Sequence, residues 1–122
     1  MRNAINWFEI PVTDLPRAMR CYQTLLGVSL KREVFAGVDQ AIFTGEDGSV
    51  RGSLILDPAT RAQPGGTIVY LNCAPSLEAA LARAKDAGVE VVMPLTHIGP
   101  PGFIAMVRDP DGNKIGLHHT TR

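Results

Sequence analysis

Cysteine is scarce in this chain of 122 residues, and its two copies, Cys21 and Cys73, lie inside predicted regular elements. Cysteines so placed are typical of buried reduced thiols rather than of a disulfide or a catalytic pair. No apolar run approaches the ~20 residues of a membrane span, and the first residues lack the apolar core of a signal peptide. We therefore expect a cytoplasmic protein that does not associate with membranes.

The sequence also lacks an excess or a cluster of charge of either sign. Twelve basic residues balance twelve acidic ones, whereas a nucleic-acid-binding surface needs a basic stripe, so no nucleic-acid partner is expected. There is no nucleophile triad, and Gly65 and Gly66 precede a predicted strand rather than the helix that a phosphate loop requires. The length predicts a single domain over residues 1–122.

What the chain does contain is a pattern that occurs twice, a strand-like stretch followed by a helical pattern that ends at a glycine. Twenty positions separate Trp7, in the first strand, from Gly27 at the end of the first helix. Twenty positions also separate Ile68 from Gly88 in the second half. Such a repeat predicts an internal duplication.

Three further strands follow each helix. They are predicted at 28–35, 40–44 and 50–56 in the first half, and at 89–95, 103–107 and 114–118 in the second. The repeated units are therefore two βαβββ modules, residues 3–57 and 67–119, joined by a Pro- and Gly-rich linker. This order predicts an α+β fold. A ferredoxin-like domain is the rival, but it has fewer strands after each helix.

Alternation along the two leading strands separates a core face from an opposite face. In the first strand positions 8, 10 and 12 are apolar, which leaves Trp7 and Glu9 on the opposite face. In the second strand positions 69, 71 and 73 are assigned to the core, so Ile68 and Tyr70 share the other face.

Five motifs carry a resemblance to a known family. They are Ile10-Pro-Val-Thr-Asp-Leu15, Ala18-Met-Arg-Cys-Tyr22, Leu26-Gly27, Ala79-Ala-Leu-Ala-Arg-Ala-Lys-Asp-Ala-Gly88 and Asp109-Pro-Asp-Gly-Asn-Lys-Ile-Gly-Leu117. A chain with these motifs resembles the vicinal oxygen chelate superfamily, which includes glyoxalase I, bleomycin-resistance proteins and extradiol dioxygenases. The resemblance implies two modules whose mixed sheets curve around one cavity, a small-molecule ligand and a homodimer.

The resemblance also implies a divalent metal held by His and Glu on four strands. Those positions fall here on Trp7, on Leu54 (or Ser53 if the register shifts by one), on Ile68 and on Gly116. Indole N–H only donates, and Leu, Ile and Gly offer no ligand atom, whereas such metals need three or four N or O ligands. We therefore expect an apolar cup for an organic ligand. A cofactor is not expected, although a displaced divalent metal, for which Glu9, His97 and His118 are the candidate ligands, is the alternative.

The remaining candidates are polar. Glu9 is either an ion-pair partner or a general base, and His118, two residues after Gly116, is the other candidate catalytic residue. His97 lies in a predicted Pro- and Gly-rich loop, 96–102, that could cover the cavity. Tyr70 is a candidate hydrogen-bond donor to a ligand. These residues leave three hypotheses open: a metal-independent binding protein, an enzyme that uses Glu9 and His118 or a displaced metal, and an interaction module.

Arginines 51 and 108 could pair with an anionic ligand, although exposure to solvent is the simpler expectation for both.

Overall fold

The structure is a computed structural model that describes residues 5–58 and 67–122. The first half contains β1 (Trp7–Pro11), α1 (Leu15–Leu26), β2 (Leu30–Phe35), β3 (Val38–Phe43) and β4 (Arg51–Leu56). The second half contains β5 (Tyr70–Asn72), α2 (Leu77–Ala82), α3 (Ala84–Ala87), β6 (Glu90–His97), β7 (Phe103–Arg108) and β8 (Lys114–His119).

Each half forms a four-stranded mixed sheet. The strand orders are β1-β4-β3-β2 and β5-β8-β7-β6. In each sheet the first strand pairs in parallel with the last, β1 with β4 and β5 with β8, and the other pairs are antiparallel. The predicted α+β fold built from two βαβββ modules is confirmed.

The helix boundaries follow from capping residues in the sequence. The Asp14 carboxylate accepts a hydrogen bond from the Arg17 amide at 3.0 Å, and α1 ends at Gly27 with a φ of 67°, a conformation that glycine adopts without steric cost. Ser76 caps α2 in the same way as Asp14 caps α1. The second predicted helix differs from the prediction, because Arg83 divides it into α2 and α3.

One buried core joins the two modules. The side chains that face the helices in both sheets, among them Ile10, Leu54, Leu71 and Leu117, belong to a single apolar cluster. We call this side of each sheet the core face and the opposite side the outer face. Both predicted thiols are free and buried in this cluster, and burial raises the pKa of Cys21 to about 12.

The β7–β8 turn links the second module to the first. Asp109 is buried and accepts hydrogen bonds from the Tyr22 hydroxyl of α1 at 2.7 Å and from the Asn113 side-chain amide at 2.9 Å. The same amide donates to the Pro11 carbonyl oxygen of β1 at 2.8 Å. The turn predicted at 109–112 is present, with the Gly112 amide donating to the Asp109 carbonyl oxygen at 3.0 Å.

No helix among the residues that the structure describes is long and apolar enough to cross a membrane.

Candidate functional site

The register between β1 and β4 decides which residues share the outer face of the first sheet. Trp7 pairs with Arg51, and two residues further along Glu9 pairs with Ser53. Leu54 lies on the core face, where its side chain is fully buried. The assignment of Leu54 to the cavity side is therefore wrong, and Ser53, the alternative one residue earlier, shares the outer face with Trp7.

In the second sheet, the aromatic ring of Tyr70 covers Gly116. The two residues are partners in the parallel β5–β8 pair, and a Cβ atom built on Gly116 would lie only 2.6 Å from Cε1 of the Tyr70 ring. Side-chain atoms do not approach this closely, so the ring occupies the space that any side chain at position 116 would need. Ile68 lies just before β5 and is half-buried.

The two histidines singled out in the sequence lie on opposite faces of the second sheet. His97 is the last residue of β6 rather than a loop residue, and its ring stacks on Phe103 with centroids 4.9 Å apart. His118 pairs with Ile104, the residue after Phe103, and its Nε2 donates to the Pro101 carbonyl oxygen at 2.7 Å. The prediction that His97 belongs to the covering loop is wrong, because β6 continues through irregular pairing to the position opposite Phe103.

The two candidate catalytic residues belong to different sheets. Glu9 lies in β1 and is exposed, whereas His118 lies in β8 and is bound to a backbone oxygen. The structure does not bring them together into an acid–base pair.

A cavity of about 610 Å³ lies between the two modules. On one side are core-face residues of the first module, including Phe8 and Phe43, whose ring centroids are 5.5 Å apart. On the other side is β5, represented by Tyr70 and Leu71. Among the described strands β5 pairs only with β8, so its other edge borders this space.

Of the candidates named from the sequence, Tyr70 and Arg51 line this cavity. The sequence predicts that position 8 faces the core, which is correct, but alternation alone does not show that part of the core face is hollow. Gly52 is the sequence feature that could have indicated this arrangement. A Cβ atom there would lie 2.6 Å from Cδ1 of Phe8. The glycine therefore lets that ring lie across β4 at the edge of the cavity.

Comparisons with known proteins agree with this architecture. The family model described as Glyoxalase/Bleomycin resistance protein/Dioxygenase superfamily matches residues 4–117. The chain belongs to this superfamily.

Several solved structures of the superfamily resemble the chain. A glyoxalase/bleomycin resistance protein from Streptomyces sp. CB03234 is 29% identical, with a TM-score of 0.67 over 93% of this chain and 97% of the other. TnmS3, an antibiotic binding protein from the same organism, is 26% identical, with a TM-score of 0.63 over 95% and 94%. A glyoxalase/bleomycin resistance protein from Albidiferax ferrireducens T118 shares the fold at 19% identity, with a TM-score of 0.73 over 98% and 99%. None of the curated proteins matches the chain.

The metal site that the superfamily resemblance implies does not fit the side chains present here. Trp7 carries no acceptor, and the space above Gly116 is taken by the Tyr70 ring. Within 5–58 and 67–122, no three His, Cys, Asp or Glu side chains lie close enough together to hold a metal ion. The set formed by Glu9, His97 and His118 is divided between two sheets and two faces, so it cannot replace the missing ligands.

Proposed function

We propose that this superfamily member binds a small organic molecule in the cavity between its modules and needs no metal ion to do so. The cavity carries the proposal, because its volume of about 610 Å³ lies within the roughly 300–1,000 Å³ of small-molecule sites.

The wall of the cavity suits an apolar, ring-containing guest. Phe8, Phe43 and Tyr70 place three aromatic rings around it, and Leu26 and Val69 add aliphatic surface. Phe43 is itself held in place by an edge-to-face contact with Tyr22, with centroids 6.0 Å apart. Rings held by such packing form a preorganised site, because little side-chain freedom remains to be lost on binding.

One relative supports a binding role. TnmS3, which shares the fold over nearly its whole length, is described as an antibiotic binding protein. Its likeness at 26% identity favours the binding of an organic molecule here as well.

We further propose that two copies of the chain associate. Among the described strands, β1 and β5 each have a partner on one side only, and such edges are usually covered. Trp7 and Tyr70, on the outer faces of these strands, are 46% and 44% exposed. Association of two chains through this surface would remove both side chains from water.

A bulky residue at the cavity mouth tests the binding proposal. Val28 lines the cavity and is 40% exposed, so Val28→Trp can enter the cavity without disturbing buried packing. We expect at least tenfold weaker binding of aromatic ligands by this variant, measured by fluorescence titration with the dye 8-anilinonaphthalene-1-sulfonate.

The matched control is Val34→Trp, because Val34 is 70% exposed on β2 and does not line the cavity. Its affinity for the dye should equal that of the wild type, and EDTA should not alter binding in any of the three proteins. Equal affinity of the Val28 and Val34 variants, or loss of binding on chelation, would contradict the proposal.

A further inference from the structure

The wall of the cavity carries charge of one sign, which is positive. Arg51 is the one charged residue among its described lining residues, and no carboxylate shares the wall with it. Resting on the proposed function, we infer that the ligand is an aromatic anion, with its rings among Phe8, Phe43 and Tyr70 and its acidic group on Arg51.

The position of Arg51 makes it available to a ligand. Its register with Trp7 places it on the outer face, opposite to Phe8. However, it is the first residue of β4, at the end of the sheet where Ile5 and Val50 also line the cavity. Its aliphatic stem passes Gly45, with Cγ and Cδ each 3.4 Å from where a Cβ atom would stand. Gly45 also lines the cavity, so the stem lies along the wall. The Arg51 guanidinium has no hydrogen bond or ion pair to any residue that the structure describes. Arg17 and Arg32, by contrast, have carboxylate partners at 2.9 Å and 2.7 Å.

Three of the other polar side chains of the wall already make hydrogen bonds within the protein. Thr44 donates its hydroxyl hydrogen to the Ser29 carbonyl oxygen at 2.8 Å, and Ser49 donates to the Glu46 carbonyl oxygen at 2.6 Å. The Asn72 side-chain oxygen accepts from the Ala74 amide at 2.9 Å.

Among the described lining residues, Arg51 is therefore the group that can attract a ligand by its charge. A guanidinium has five donors and no acceptor, so its partner must supply acceptor oxygens, and a carboxylate, phenolate or sulfonate matches its planar fork. Arg51 is also half-buried, and a guanidinium so placed gains more from an anion than it would in open water, because the surrounding dielectric is lower.

Two dyes that share one ring framework test the inference. The anionic 8-anilinonaphthalene-1-sulfonate and the neutral N-phenyl-1-naphthylamine differ by the sulfonate group alone. In fluorescence titrations we expect the wild type to bind the anionic dye several-fold more tightly. Arg51→Met should weaken the anionic dye at least about tenfold, as expected for the loss of a charge-assisted hydrogen bond, and change the neutral dye less than twofold.

Arg108→Met is the matched control, because Arg108 is also half-buried at a strand end but does not line the cavity. It should leave both affinities unchanged. If the wild type binds both dyes equally and Arg51→Met changes neither affinity, this inference is overturned while the proposed function stands. If the wild type binds neither dye, both fail. Equal losses for the two dyes on Arg51→Met would show that the residue acts through packing, and would also overturn the inference.

Discussion

At the scale of single residues, two glycines determine where aromatic rings can lie. Gly52 lies beneath Phe8 on the core face of the first sheet, and Gly116 lies beneath Tyr70 on the outer face of the second. In each pair the glycine is the cross-strand partner of the aromatic residue, and the ring covers the backbone that the glycine leaves bare. Tyr70 thereby occupies the space where the superfamily resemblance places a metal-binding glutamate.

Gly116→Ala tests this close packing. The added methyl group would overlap the Tyr70 ring, so either the ring or the strand must move, and overpacking of this kind costs about 1–3 kcal/mol. We expect a loss of unfolding free energy in that range, measured by urea denaturation.

The control is a double-mutant cycle with Tyr70→Ala. With the ring removed, Gly116→Ala should cost much less, so the two changes should be strongly non-additive. Additive effects would mean that the ring and the glycine do not constrain each other.

At the scale of secondary-structure elements, hydrogen bonds to the β7–β8 turn hold the two modules together. We call these contacts, made by Tyr22 and Asn113, the clasp. Tyr22 reaches the turn from α1, and the Asn113 side chain connects it to the end of β1. Burial, followed by the nearby Asp109 carboxylate, raises the pKa of Tyr22 well above its ordinary value, so its hydroxyl stays protonated and remains a donor to that carboxylate.

Tyr22→Phe removes this donor from a buried carboxylate. The carboxylate keeps the Asn113 amide as a donor, so the loss is that of one hydrogen bond to a charged group, about 1.5–3 kcal/mol, and we expect an equivalent decrease in unfolding free energy in urea. Tyr70→Phe is the control, because Tyr70 is largely exposed and removing its hydroxyl should change stability by less than about 0.5 kcal/mol. Equal stabilities for the two variants would show that the clasp contributes little.

The same scale shows what the sequence could predict. Strict alternation in β1 was enough to assign Trp7 and Glu9 to one face. In β4 the run Leu54-Ile55-Leu56 has no polar residue to mark a face, so the register was uncertain by one position, and Leu54 was placed on the wrong side. In β6 the pairing with β7 contains two register shifts, and no local pattern predicts that such a strand continues to His97.

The cavity was the least predictable feature. Phe8 and Phe43 have the spacing of ordinary core residues, and whether a core face is filled or hollow depends on how two distant modules pack. That packing depends on contacts between residues far apart in sequence, such as Tyr22 with Asp109, which periodicity within one strand or helix cannot describe.

At the scale of the whole molecule, the fluorescence of the single tryptophan can test the proposed association of two chains. Trp7 is 46% exposed on the outer face of an edge strand. If two chains associate through β1 and β5, its indole leaves water, and its emission should shift to shorter wavelength as the protein concentration rises. Light scattering after size-exclusion chromatography should give about twice the chain mass over the same range.

Trp7→Lys should favour the single chain, because a charge on this face would have to be desolvated on association. Val34→Lys on β2 serves as the comparison. A molecular mass equal to one chain at every concentration, with constant emission, would contradict association.

The shared core has a consequence for the two modules taken separately. Each module contributes one half of a common apolar interior, so a polypeptide of half this length would expose that half to water.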